Sequence, residues 1–247
     1  DSSTSRGLGD VYKRQAIGKV EVDDEEGFAK QLEQLETLCE TARLLDCSFI
    51  RMFSFLIPKD ADADSYTDVV LDKLRQFIRI AEKHDIVLLH ENEKGIYGDT
   101  GARCKLLFDR LACPHFKAAF DFANFVQCEQ DTAECWELLH DQIAYIHIKD
   151  ALPGYLLNVP AGTGLGKIPE LLRRAFCEEG YHGFLTLEPH LAMFDFFAPG
   201  AKGGKSQKLQ FENNPIVEKM KSEMAEPGRP KDCLLYTSPS PRDVEES

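Results

Sequence analysis

Apolar residues recur at three- and four-residue spacings over 25–45, where Phe28, Leu32, Leu35, Leu38 and Ala42 share one side of a helix. The same period returns over 67–84 with Val70, Leu71, Leu74, Phe77, Ile78 and Ala81. Segments 99–112, 131–141 and 167–178 repeat the theme, with Asp99, Asp131 and Pro169 placed as cap or first-turn residues. Between these helices lie short runs rich in Ile, Val, Phe and Leu: a stub at 16–21, then 48–55, 85–91, 116–122, 142–149 and 183–188. Near-continuous apolar strands, each followed by a helix, predict a parallel sheet covered on both faces, either doubly wound or closed into a (β/α) barrel. The glycine-rich string AGTGLGK at 161–167 comes late, reads G-x-G-x-G, and has Ala161 and Ile168 where a phosphate-binding P-loop needs Gly and Ser or Thr. A dinucleotide or P-loop fold is therefore disfavoured, and the barrel is the expected architecture.

Residues 1–15 and 233–247 have no hydrophobic period that joins them to their neighbours, and the strings RGLGDVYKRQ and LLYTSPSPRD resemble translated sequencing-adapter sequence. They are set aside from fold reasoning, leaving 16–232 as the expected domain.

Composition narrows the partners. The 42 acidic against 29 basic residues give a formal charge of −13, a poor match to a phosphate backbone, so no nucleic-acid partner is expected. No run is long and apolar enough for a membrane span and no signal-peptide pattern opens the chain, so a cytoplasmic protein without a membrane partner is the expectation. The 8 cysteines are scattered without C-x-x-C pairs and are expected as reduced thiols.

The candidate chemistry sits at strand ends. Glu91, Asp121, His147 and Glu188 fall at or near the C-terminal ends of successive predicted strands, each about one βα unit apart. In a parallel barrel those ends converge on one mouth, and side chains alternating along a strand put Glu91, His147 and Glu188 on the inward side. Three carboxylates and one imidazole suit a divalent ion such as Mn²⁺, Mg²⁺ or Co²⁺, with Zn²⁺ also admissible, although structural Zn²⁺ would favour thiolates. Lys149 beside them is expected either to polarise a substrate oxygen or bind a phosphate, or to form a salt bridge to Asp150 or Asp121. Arg51 is expected in a buried structural ion pair, His90 facing the helices, and Trp136 in the core. Glu93 and His190, just past strand ends, are expected to touch substrate or support the residues that do.

The strings LLHENEKGIYGDT (88–100), FDFANF (120–125), YIHIKDA (145–151), PAGTGLGKIPELL (160–172) and GFLTLEPHLAMF (183–194) resemble the sugar phosphate isomerase/epimerase family, the xylose isomerase-like TIM barrels. The resemblance runs from about Ala16 to Phe194. It implies an α/β fold, a (β/α)8 TIM barrel, with Glu91, Asp121, His147 and Glu188 holding one divalent metal. It further implies Glu91 and Glu188 as catalytic acid/base groups on opposite faces of a small-molecule sugar or sugar phosphate. One glutamate would take a proton beside a carbonyl and the other return it, through an enediolate that the metal stabilises. The amides of Gly162 to Gly166, Gly164 among them, fall in the loop after the seventh strand, where this fold often binds phosphate. Homo-oligomers through helices outside the barrel are also compatible with the resemblance.

Two departures stand out. Many epimerase relatives carry a histidine three residues after the strand aspartate, where this chain has Asn124, which is kept as a substrate contact. Counting back from 183–188 as the eighth strand, 16–21 is the end of the third, so the barrel is expected to be incomplete, its first two βα units missing. A keto-inositol dehydratase-type lyase on the same barrel and a non-catalytic fragment are the alternatives. An apurinic endonuclease is disfavoured by the net charge and by a single histidine among the proposed ligands.

Overall fold

The computed structural model describes residues 16–153 and 158–188, all of which lie in one compact unit, Asp1–Ala192. The elements follow in chain order: α1 (Glu25–Leu44), β1 (Phe49–Met52), α2 (Thr67–His84), β2 (Val87–Glu91), α3 (Gly101–Arg110), β3 (Phe116–Asp121), α4 (Phe122–Gln127), α5 (Thr132–Leu139), β4 (Ile143–Ile148), β5 (Asp150–Ala151), β6 (Asn158–Val159), α6 (Ile168–Cys177) and β7 (Phe184–Leu187). β1, β2, β3, β4 and β7 form one parallel sheet in that order. β5 and β6 make a small antiparallel pair.

The sheet curls strongly. Phe49 on the first strand meets Phe184 on the last with ring centroids 5.7 Å apart, and Tyr145 packs on Phe184 at 5.7 Å. Alternation assigns the two faces. Leu88, His90, Phe116, Ala118, Phe120 and Ile146 are buried under the helices. Phe49, Arg51, Leu89, Ala119, Tyr145, His147, Phe184 and Thr186 line a concave inner cleft of about 600 Å³ that ends at Glu188. The described residues thus form part of a (β/α)8 barrel.

The helices form where the period places them. In α1, Phe28, Leu35 and Ala42 are buried, and so are Gln31 and Cys39. Every residue expected on the apolar face of α2 is buried. Asp24 and Asp131 cap α1 and α5 by accepting backbone N–H bonds. Thr100, not Asp99, caps α3, while Asp99 pairs with Arg103 at 2.5 Å. Trp136 is buried, stacks on Phe122 and donates its indole N–H to Glu179 at 2.9 Å.

Two features differ from expectation. The 16–21 stub is not a regular strand but lies alongside residues 53–56, making a parallel bridge between Glu21 and Leu56. The Phe53 and Phe55 amides donate to the Ile17 and Gly18 carbonyls, both at 2.8 Å. Gln31 clamps it by accepting from Gly18 N at 2.6 Å and donating to the Ala16 carbonyl at 3.1 Å, so a polar residue occupies an apolar-face position. The second difference is α4, a turn and a half that follows β3 without a loop. Asp121 both ends the strand and caps the helix by accepting from Asn124 N at 2.8 Å.

Gly18 has φ +79, and a Cβ there would lie 1.9 Å from the Phe53 carbonyl oxygen. Gly18→Ala should therefore destabilise the chain by about 2–4 kcal/mol in urea unfolding. Gly180→Ala, also at positive φ but with nothing near the added carbon, should cost only about 1 kcal/mol.

Candidate metal centre

Each residue of the cluster is delivered by the parallel ladder. Glu91 ends β2 opposite Ala119, Asp121 ends β3 opposite His147, and His147 stands opposite Thr186, two residues before Glu188. Glu91, Asp121, His147 and Glu188 each bring one ligand atom within 4.8 Å of all the others. The His147 Nδ1 lies 3.0 Å from Glu91 Oε1, 3.7 Å from Asp121 Oδ2 and 3.6 Å from Glu188 Oε2. Glu91, Asp121 and His147 are buried, whereas the Glu188 side chain keeps 20% exposure at the end of the cleft.

Asn92, which carries no role in the sequence reading, locks the geometry. Its side chain donates to the Asp121 carbonyl at 3.1 Å and accepts the Asp121 amide at 3.0 Å. This amide mimics one more rung of ladder beyond Glu91 and fixes the β2 end against the β3 end. The only sequence signal for it is an amide residue directly after the strand-end glutamate.

The donor set fits a cation. Asp121 Oδ2 and Glu91 Oε2 are buried and accept no hydrogen bond; Lys149 Nζ lies 2.7 Å and His147 Nδ1 3.7 Å from the first, and Arg51 3.1 Å from the second. Buried carboxylate oxygens without hydrogen bonds are costly unless a positive charge meets them.

The other residues named from the sequence have partners within the protein. Lys149 is buried and paired with Asp121, the salt-bridge alternative of the sequence reading. Asn124 is buried and donates to the Asn92 carbonyl at 2.8 Å and toward Glu91 at 3.4 Å. Glu93 pairs with Lys19 at 2.5 Å. The Gly164 amide donates to Asp150 Oδ2 at 2.9 Å; Gly162 N, Gly166 N and Ala151 N also donate to this carboxylate, at 2.8, 2.9 and 3.0 Å. The anion that these glycine-loop amides hold is the protein's own Asp150. His190 lies outside the described residues, as do 1–15 and 233–247. None of Lys149, Asn124, Glu93 and Gly164 lines the inner cleft.

Arg51 also departs from expectation. It forms ion pairs, 3.1 Å to Glu91 and 3.7 Å to Glu188, but its side chain is 47% exposed and lines the cleft. His90 does face the helices, with Nε2 2.9 Å from Ser54 Oγ and its ring against Phe108 and Phe116.

The electrostatics divide the two histidines. Burial alone would lower His147, but the nearby Asp121 carboxylate, the Glu91 hydrogen bond and the charges of Glu91 and Glu188 raise it to about 9. Burial would raise Glu91, yet the His147 hydrogen bond and the charges of His147, Arg51 and Lys149 hold it below its ordinary value. His90 is pushed down to about 4 by burial. The His147 imidazolium therefore contributes stability that is present below about 6.5 and lost as pH rises through 9. Neutral His90 contributes stability that is present above about 6.5 and lost as pH falls toward 4. In EDTA the chain should be most stable near pH 6.5, losing about 2–3 kcal/mol on either side in urea titrations. His147→Gln should flatten the alkaline limb and His90→Gln should reduce the acid one.

Among curated proteins, the chain is 24% identical over 141 residues to the probable L-ribulose-5-phosphate 3-epimerase UlaE of Mycoplasma pneumoniae, covering 56% of this chain and 45% of that protein. The chain thus spans less than half the length of that relative. Among solved structures it resembles a D-tagatose 3-epimerase-like protein, with TM-score 0.63 and 19% identity, covering 89% of this chain and 85% of the other. It also resembles the IOLI protein with a bound zinc atom, with TM-score 0.61 and 16% identity over 81% and 70% of the two chains. At these identities the structural likeness is one of fold. The family model of the xylose isomerase-like TIM barrel matches residues 12–204, most of the sequence, and the chain belongs to that family.

Proposed function

We propose that this chain carries the metal-binding and proton-transfer groups of a divalent-metal-dependent isomerase or epimerase acting on a sugar or sugar phosphate. The observation that carries this reading is the convergence of Glu91, Asp121, His147 and Glu188 at the end of a cleft large enough for a small molecule. The likeness to epimerases, and to a fold relative with bound zinc, supports it.

A divalent cation held by the four side chains would supply positive charge against the oxyanion that develops as a proton leaves carbon. The protein's part is to place two carboxylates around that carbon. Glu188 keeps 20% side-chain exposure and lines the cleft, and Glu91 is the buried carboxylate of the same cluster. With a substrate in the cleft, one glutamate removes the proton next to the carbonyl and the other returns one. Return to the opposite face inverts the carbon. Tyr145 and Thr186, joined through their hydroxyls at 2.6 Å, and Arg51 offer the cleft its polar surface. Lys149 and Asn124 hold the carboxylates in place rather than reaching substrate.

Calorimetric titration with Mn²⁺ should show one site per chain, weakened at least tenfold in Glu188→Gln and more in His147→Ala. A folded parent without Mn²⁺ binding would overturn the metal assignment. With metal bound, incubation with ketoses and their phosphates in deuterated water should place deuterium on the carbon beside the carbonyl, and Glu188→Gln should lower that exchange by 100-fold or more.

A further inference from the structure

The cluster is not symmetric in how its negative charge is met. Lys149 reaches Asp121 from inside, with its side chain 9% exposed, and is fixed by burial. Arg51 arrives from the open side, on β1, a strand that contributes none of the four clustered ligands. It spans Glu91 Oε2 at 3.1 Å and Glu188 Oε1 at 3.7 Å, and so bridges the two carboxylates assigned to proton transfer. Its side chain remains 47% exposed, and its guanidinium lies 5.4 Å from the Phe53 ring centroid.

Resting on the metal reading above, we infer that Arg51 is a displaceable counter-ion that occupies the carboxylates in the metal-free protein and must leave them for a divalent cation to bind. A guanidinium is always charged, so it competes with metal for the same lone pairs at every working pH. The inner cation, Lys149, cannot play this part because it is enclosed. Half-exposed Arg51 can swing into the cleft without unfolding anything.

The test is Mn²⁺ titration of the full chain by calorimetry, comparing the parent with Arg51→Met and Arg51→Lys at one pH and salt concentration, with circular dichroism to establish folding. Arg51→Met keeps an apolar stem and removes the charge, and should bind Mn²⁺ at least tenfold more tightly, about 1.4 kcal/mol. Arg51→Lys, whose ammonium stops one bond short of the Arg51 Nη1 that contacts both carboxylates, should bind more tightly than the parent by a smaller factor and decides the matter if Arg51→Met fails to fold. Equal or weaker binding in the folded variants, with the parent binding normally, overturns the counter-ion role and leaves the metal reading intact. No binding by any folded form overturns both.

Discussion

Three carboxylates gathered within 4.8 Å of one another, mostly out of water, are the constraint around which the rest of this site is arranged. Two such charges 4 Å apart repel by about 4 kcal/mol at an effective dielectric constant of 20. The fold answers with Lys149 from below, Arg51 from the open side and a histidine whose proton the carboxylates retain. Placing Glu91 and Asp121 on adjacent strand ends also requires that those ends not splay apart. The reciprocal Asn92 bonds and the start of α4 directly on Asp121 provide that restraint. Each backbone device near the cluster resists like-charge repulsion between side chains.

Much of this was legible in the sequence because it follows from periodicity. A period of two fixes which strand residues face inward, and a βα unit fixes how far apart in sequence two neighbouring strand ends stand. That is why Glu91, Asp121, His147 and Glu188 could be assembled without coordinates and why the faces of α1 and α2 were read correctly. The expected strands are up to three residues too long at an end, since the regular strand stops where the ladder stops rather than where apolar residues do.

What the sequence did not reveal are contacts between side chains and backbone at distant positions. Gln31 reads as a helix surface residue until its partners at Ala16 and Gly18 are known. Asn124 and Glu93 look available to a ligand because they neighbour the cluster in sequence, yet each satisfies a partner that only the tertiary structure supplies, whereas the Lys149–Asp121 pair is one of the two readings the sequence offers. Arg51 lies within an apolar strand and so looks enclosed from sequence, and the open side of the curled sheet explains why it is not.

The glycine loop has an implication for how ligand preference could change over evolutionary time. Its converging amides form a ready-made anion receptor, and Asp150 keeps that receptor plugged. A Cβ at Gly164 would fall 2.4 Å from Asp150 Oδ1, so carboxylate and glycine constrain each other and neither can drift alone. A single exchange of Asp150 for a small neutral residue would unplug the receptor in one step, leaving its backbone donors to an external oxyanion. The loop's donors are thus committed to a single side chain, and any change of ligand there has to pass through Asp150.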